Sequence, residues 1–274
     1  MPEARVGISG WRYPAWRDDW YPKDLVQRRE LEYASNKLNS IEINGSFYSL
    51  QRPTNYLAWH ESTPERFIFA VKGGRYITHL KRLTDVEIPL ANFFASGVLA
   101  LRDKLGPVLW QLPERHSFDP TQLETFFRLL PRTTTEALRL AQKHDSRLNG
   151  RDWVQPQPER KIRYALEARH PDFGGDDVSA LLREHDIAFV IADTAGKWPQ
   201  NRVITSDFVC VRLHGAEELY TSGYTPDELA IWADDIAAWV QSGRDVYVYF
   251  DNDAKVRAPF DATQLSSLLS ITWP

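Results

Sequence analysis

Short apolar runs that end on charged or amide side chains recur eight times along this chain, and most are followed by a segment with helical spacing. That alternation restricts the fold more than any other feature, because strands joined by helices pair in parallel and a parallel sheet needs both faces covered. The runs lie at 5–10, 40–47, 66–72, 106–113, 163–169, 187–193, 208–215 and 246–250. The fifth carries the pattern most fully. With Tyr164, Leu166 and Ala168 on one face, the period of two turns Ala165, Glu167 and Arg169 to the other, so a carboxylate and a guanidinium share a face before Pro171 stops the strand.

Helical spacing is read over 25–37, 54–61, 90–101, 121–130, 133–148, 178–182, 225–243 and 263–269. Thr225 as N-cap, Pro226 in the first turn, Glu228 completing a capping box and Gly243 beyond the end mark the seventh of these most clearly. The stretch 194–207 has no helical pattern and reads as an irregular loop. Eight strands alternating with helices over one span of 274 residues predict a single (β/α)8 barrel of the TIM type, one domain over 1–274, with an extra helix between strands 4 and 5. A doubly wound sheet is the competitor, but Gly7, Gly10 and the tryptophan-rich segment after them do not form its glycine-rich phosphate turn.

Parallel barrels place chemistry at the carboxyl ends of their strands. By alternation the inward polar set there is Glu42, Asn44, Lys72, Gln111, Glu167, Arg169, Asp193, Arg212, His214 and Asp251. Lys72, Arg169 and Arg212 point to an anionic ligand, since guanidiniums capture carboxylate or phosphate with two parallel bonds. Glu167, His214 and Glu42 are the candidate acids and bases. Aromatic residues in the loops, Trp11 and Tyr48 among them, suit stacking on a sugar or a base. At this layer Glu167→Gln, Arg169→Ala and Arg212→Ala are expected to abolish binding with little loss of stability.

Glu42, Glu167, His170, Asp193, His214 and His79 are the residue types of a carboxylate–histidine metal site, yet no spacing such as His-Glu-x-x-His accompanies them and three cations would repel a metal. No cofactor is therefore expected, with a divalent ion as the alternative. A net charge of −4 and a pI near 6.0 argue against a broad basic surface for duplex nucleic acid. Cys210, the single cysteine, sits in an apolar run and leaves neither a disulfide framework nor a cysteine-based zinc site. With no charged and apolar leader before Arg5 and no bilayer-length apolar stretch, the expectation is a cytoplasmic protein that engages no membrane.

Several blocks also resemble the DUF72 (YecE-like) family of TIM-barrel proteins: Val6-Gly-Ile-Ser-Gly-Trp11, Ile41-Glu-Ile-Asn44 with Phe47-Tyr48, Phe69-Ala-Val-Lys72 with Thr78-His79, Lys104-Leu-Gly-Pro107 with Gln111-Leu-Pro113, Glu167 with Arg169-His170, Val211-Arg-Leu-His-Gly215, and Tyr249-Phe250 with Asn252-Asp253. The resemblance covers nearly the whole chain and implies a fold and a pocket rather than a reaction. It brings His79 and Asn252 into the ligand-contacting set. One position departs from it, Asp251 standing where the family pattern has asparagine. The function expected is acid/base chemistry on a phosphorylated, carboxylated or sugar-derived small molecule. The alternatives are a nucleotide or sugar-phosphate binding protein without turnover and a metal-dependent phosphoesterase or endonuclease-like enzyme.

Overall fold

The computed structural model describes residues 1–273. Its strands, in chain order, are β1 (Ala4–Ser9), β2 (Ser40–Ile43), β3 (Ile68–Lys72), β4 (Leu105–Gln111), β5 (Tyr164–Glu167), β6 (Ile187–Phe189), β7 (Ile191–Asp193), β8 (Phe208–Leu213) and β9 (Asp245–Phe250). The α-helices are α1 (Glu30–Ser35), α2 (Gly45–Tyr48), α3 (Pro53–Glu61), α4 (Glu87–Ala95), α5 (Pro120–Leu129), α6 (Thr134–Ala141), α7 (Asp176–Glu184), α8 (Pro226–Gln241) and α9 (Arg257–Leu268). The backbone divides into two compact units, one made of Met1–Glu42, Thr63–Ile68 and the chain from Ala188 on, the other of Ile43–Ser62 and Phe69–Ile187.

In the first unit the parallel neighbours run β2, β1, β9, β8, β7. Val6, Ile8, Ile41, Val211, Leu213, Val246 and Val248 are almost wholly buried, and each aliphatic side chain so enclosed contributes roughly 1.5–3 kcal/mol. The register brings the strand ends level: Ser9 lies opposite Glu42, and Leu213 opposite Phe250. The ladder continues one step further, with Asp251 N–H donating to the Leu213 carbonyl and His214 N–H to that of Asp193. Helix α8 begins as its sequence dictates, Thr225 Oγ1 accepting from Glu228 N–H while the Glu228 carboxylate accepts from Thr225 N–H.

The apolar run at 187–193, read as one strand, is two. Phe189 N–H donates to Thr205 Oγ1 at 2.8 Å instead of to a neighbouring strand, and the pairing with β8 starts only at Ile191. The stretch 194–207 is irregular, as its lack of periodicity implies.

In the second unit β3 pairs with β4 and β4 with β5, all parallel, with Gln111 opposite Glu167. Trp110 anchors its core, in ring contact with Phe93 and Phe126. Between β4 and β5 stand both α5, capped by Asp119, and α6, capped by Thr133, so the extra helix is present. It ends at Ala141 rather than continuing to 148, because Asp145 turns its carboxylate onto Arg147 N–H and starts a separate 3-10 turn. A turn of π-helix at Tyr76–Leu80 had no sequence signal. Among the described residues no helix is long and apolar enough to cross a membrane.

Candidate functional site

Each unit holds its own charged cluster at strand ends. In the first, Arg212 on β8 is completely buried. Its Nη2 donates to Glu42 Oε1 at 2.9 Å, Asp251 Oδ2 at 3.0 Å and Ser9 Oγ at 3.2 Å, while Nε donates to Glu42 Oε2 at 3.1 Å. Ser9 Oγ in turn donates to Glu42 Oε1 at 2.7 Å. Arg212 Nη1 lies 3.4 Å from His214 Nε2. His214 Nδ1 lies 3.1 Å from Asp251 Oδ2, in contact but without hydrogen-bond alignment. The alternation that put Glu42, Arg212, His214 and Asp251 on one face is what assembles them. Ser9, at the polar end of β1, belongs to the same cluster and was not singled out from sequence.

Burial changes the expectation for Arg212. A guanidinium held by two enclosed carboxylates is an internal brace, and its loss bears on folding before it bears on any ligand. Beside it, burial and the neighbouring Asp251 push the Asp253 carboxyl above the ordinary range, against a lowering hydrogen bond from Tyr13.

Three predicted contact residues stand outside this cluster. Trp11 is buried, its carbonyl accepting from Tyr21 Oη. Asn252 Nδ2 donates to Ser222 O and to Asp261 Oδ2, tying a loop to α9, while its Oδ1 is a buried acceptor with no partner among the described residues. Asp193 is pushed up chiefly by burial, and the Tyr224 hydroxyl hydrogen-bonds to it. Asp261 also accepts from Tyr224 N–H, and burial raises its pKa from 3.8 to about 6. The helical spacing read from sequence starts at 263, so Asp261 falls outside it; α9 begins earlier, at Arg257.

A raised folded-state pKa contributes stability below about pH 4, and that contribution is lost as the pH rises through about 6. Asp261→Asn keeps the acceptor for Asn252 and Tyr224 and removes the buried charge. It is therefore expected to stabilise the protein by about 2 kcal/mol at pH 8, after allowing for solvent screening, and to be close to neutral at pH 4. Urea denaturation at the two pH values measures the difference.

The second unit gathers Lys72, His79, Gln111, Glu167 and Arg169. Lys72 ends β3 with its Nζ 4.5 Å from the centre of the Phe47 ring, and its carbonyl accepts from Ser46 Oγ. Glu167 is fully buried and accepts from Arg169 Nε at 2.9 Å, with Nη2 equally close, which aims the guanidinium. His79 sits on the π-helical turn, Thr78 Oγ1 2.8 Å from its Nδ1 and the Phe47 ring edge-on at 5.1 Å. Burial first, then the charges of Lys72, Arg169 and Arg75, hold its imidazole below the ordinary histidine range, so it is neutral near pH 7.

His79, Gln111 and Arg169 line a cavity of about 380 Å³ together with Arg82, Glu114 and Arg115. Three guanidiniums and one carboxylate give that lining an excess of positive charge. Arg82, Leu83 and Asp85 all have positive φ, at 47°, 65° and 52°. Three non-glycine residues held in that region within four positions store strain of a kind that collects at functional sites. Arg82 and Arg115 escaped the sequence reading because they lie on irregular segments without periodicity.

Asn44 Oδ1 is a buried acceptor with no partner among the described residues. Tyr48 projects from the surface with the Arg75 guanidinium 5.8 Å over its ring. His170 Nδ1 accepts from Asp172 N–H and so caps a 3-10 turn. Among the described residues no three His, Cys, Asp or Glu side chains are grouped as a metal ion requires.

A model of the family described as "Protein of unknown function DUF72" matches residues 5–273. The UPF0759 protein YunF of Bacillus subtilis (strain 168) is 24% identical over 284 residues, covering 98% of this chain and 95% of that protein. The UPF0759 protein YecE of Escherichia coli (strain K12) is 22% identical over 261 residues, covering 86% and 82%. The crystal structure of a DUF72 family protein from Thermotoga maritima MSB8 matches with a TM-score of 0.80 at 23% identity, over 98% of this chain and 99% of that one. That likeness shows the fold, a TIM-type α/β barrel of parallel strands with alternating helices.

Proposed function

The chain belongs to the DUF72 family, and on that footing we propose that its second unit binds an anionic small molecule, a phosphorylated or carboxylated compound, and moves a proton on it with His79. The observation that carries this reading is the composition of the 380 Å³ cavity: Arg82, Arg115 and Arg169 against Glu114, with an imidazole held neutral at its wall. An anion placed there exchanges its hydration for charge-assisted hydrogen bonds, which are about twice as strong as neutral ones. Glu167 keeps Arg169 aimed, and Gln111 offers both a donor and an acceptor. A neutral imidazole among cations accepts a proton from the bound molecule, and the guanidiniums stabilise the negative charge that remains. Glu42 and His214, the other acid/base candidates, are enclosed with Arg212 and support folding in this reading.

Thermal shift with inorganic phosphate, sugar phosphates and dicarboxylates, with and without divalent ions, tests it. Anions are expected to stabilise the metal-free protein, by roughly 2.7 kcal/mol at a hundred times Kd. Arg82 and Arg115 are exposed, so Arg82→Ala and Arg115→Ala should fold normally and weaken phosphate binding about tenfold each, the loss of one charge-assisted bond. Bound phosphate should also raise the His79 pKa in an NMR titration, because it offsets the cations that depress it. Stabilisation that needs zinc or manganese and disappears in Glu42→Gln or His214→Ala would replace this reading with a metal-dependent one.

A further inference from the structure

The π-helical turn Tyr76–Leu80 lines two neighbouring spaces. His79 borders the cationic cavity, and Tyr76 and Ile77 border a second hollow of about 140 Å³. Leu50, Pro89 and Phe93 complete its apolar wall. The lining is almost wholly apolar: Asn92 is buried with its Oδ1 accepting from Asp145 N–H, and Arg147 borders the hollow with an exposed side chain. Tyr76 is 43% exposed although its ring forms one side of an apolar recess, and an aromatic left in that position is suited to stacking.

We propose that this hollow seats a flat heteroaromatic ring against Tyr76, so that the ligand of the adjoining cationic cavity is a nucleoside monophosphate. The inference rests on the anion-binding reading above for its phosphate and on separate residues for its base. A sugar ring is a poor occupant, since each hydroxyl it buried would need a hydrogen-bond partner that the apolar wall does not supply. A base buries its faces on apolar and aromatic surface and keeps its few polar atoms at its edge, toward solvent and the exposed Arg147 side chain. The charge pattern agrees: phosphate toward Arg82, Arg115 and Arg169, ring toward Tyr76, with one five-residue turn between them. Tyr48 is the less suitable platform because the Arg75 guanidinium already lies over its face.

Calorimetric titration of AMP, ribose 5-phosphate and inorganic phosphate, with saturation-transfer NMR of adenosine, tests the assignment. AMP is expected to bind at least about tenfold more tightly than ribose 5-phosphate, the worth of one stacked base. Tyr76→Ala should abolish that advantage and the adenosine signal while leaving phosphate affinity unchanged, and Tyr76→Phe should keep both. Equal affinities for AMP and ribose 5-phosphate, with adenosine silent, overturn the base site and leave the anion reading standing. Adenosine binding that depends on Tyr76 in a protein indifferent to phosphate overturns the anion reading and the monophosphate with it. A single-stranded oligonucleotide bound far more tightly than AMP, with an affinity that falls steeply with salt, overturns the mononucleotide in favour of a polymer.

Discussion

Arg212→Ala is expected to cost about 3–5 kcal/mol, the penalty for stranding buried charges whose partner has been removed. Glu42 accepts from two nitrogens of Arg212 and Asp251 also accepts from it; Arg212 and Glu42 are fully buried and Asp251 is 9% exposed, so water does little to solvate the stranded charge. The melting temperature should fall by on the order of 10 °C. Neutralising the stranded partners should recover much of the loss, so the combination of Arg212→Met with Glu42→Gln and Asp251→Asn is expected to be more stable than Arg212→Ala alone. Guanidinium denaturation of the parent, Arg212→Ala, the triple variant and, where they fold, Arg212→Met, Glu42→Gln and Asp251→Asn alone measures the coupling. Additive effects, or an Arg212→Ala protein as stable as the parent, would restore Arg212 to the ligand-binding set suggested by alternation alone.

Gly7→Ala should be of similar size, about 3 kcal/mol or more, for a different reason. A Cβ on residue 7 would stand 1.9 Å from the Ser40 carbonyl oxygen and 2.6 Å from its carbon. These are backbone atoms of the paired strand, and no side-chain rotation relieves the overlap, so β1 would have to move away from β2. The same displacement would pull Ser9 from Glu42, two residues along. Loss of soluble expression, or a urea midpoint lowered in proportion, is the expected result; an unchanged midpoint would mean that the two strands separate at little cost.

In the sequence Gly7 stands in the first apolar run, where with Gly10 it does not form a glycine-rich phosphate turn. Its actual requirement is close approach of two backbones, which no property of residues 5–10 encodes. Asn252 makes the same point at a site. It follows β9 among ligand-type residues, and the fold engages its Nδ2 with Ser222 and Asp261 while leaving its Oδ1 without a partner among the described residues. Arg82 and Arg115 fail in the opposite direction: they border the cationic cavity from segments whose sequence has no period to read.

What the sequence determined by itself was the class of fold and the face on which each polar strand end lies. Alternation along a strand is a local, through-chain quantity, so Glu42, Arg212 and His214 in one unit, and Lys72, Gln111, Glu167 and Arg169 in the other, were recognisable before any neighbour was known. The tertiary structure alone decided which of those charges are sealed and which line open space. Arg212 is sealed because β2 and the residue after β9 each bring a carboxylate to it. Arg169 borders a cavity: Glu167, two residues back along the chain, holds its guanidinium beside the space that Arg82 and Arg115 also line. The free energy of a charge depends on the dielectric and the partners around it, and both are set by chain segments far away in sequence.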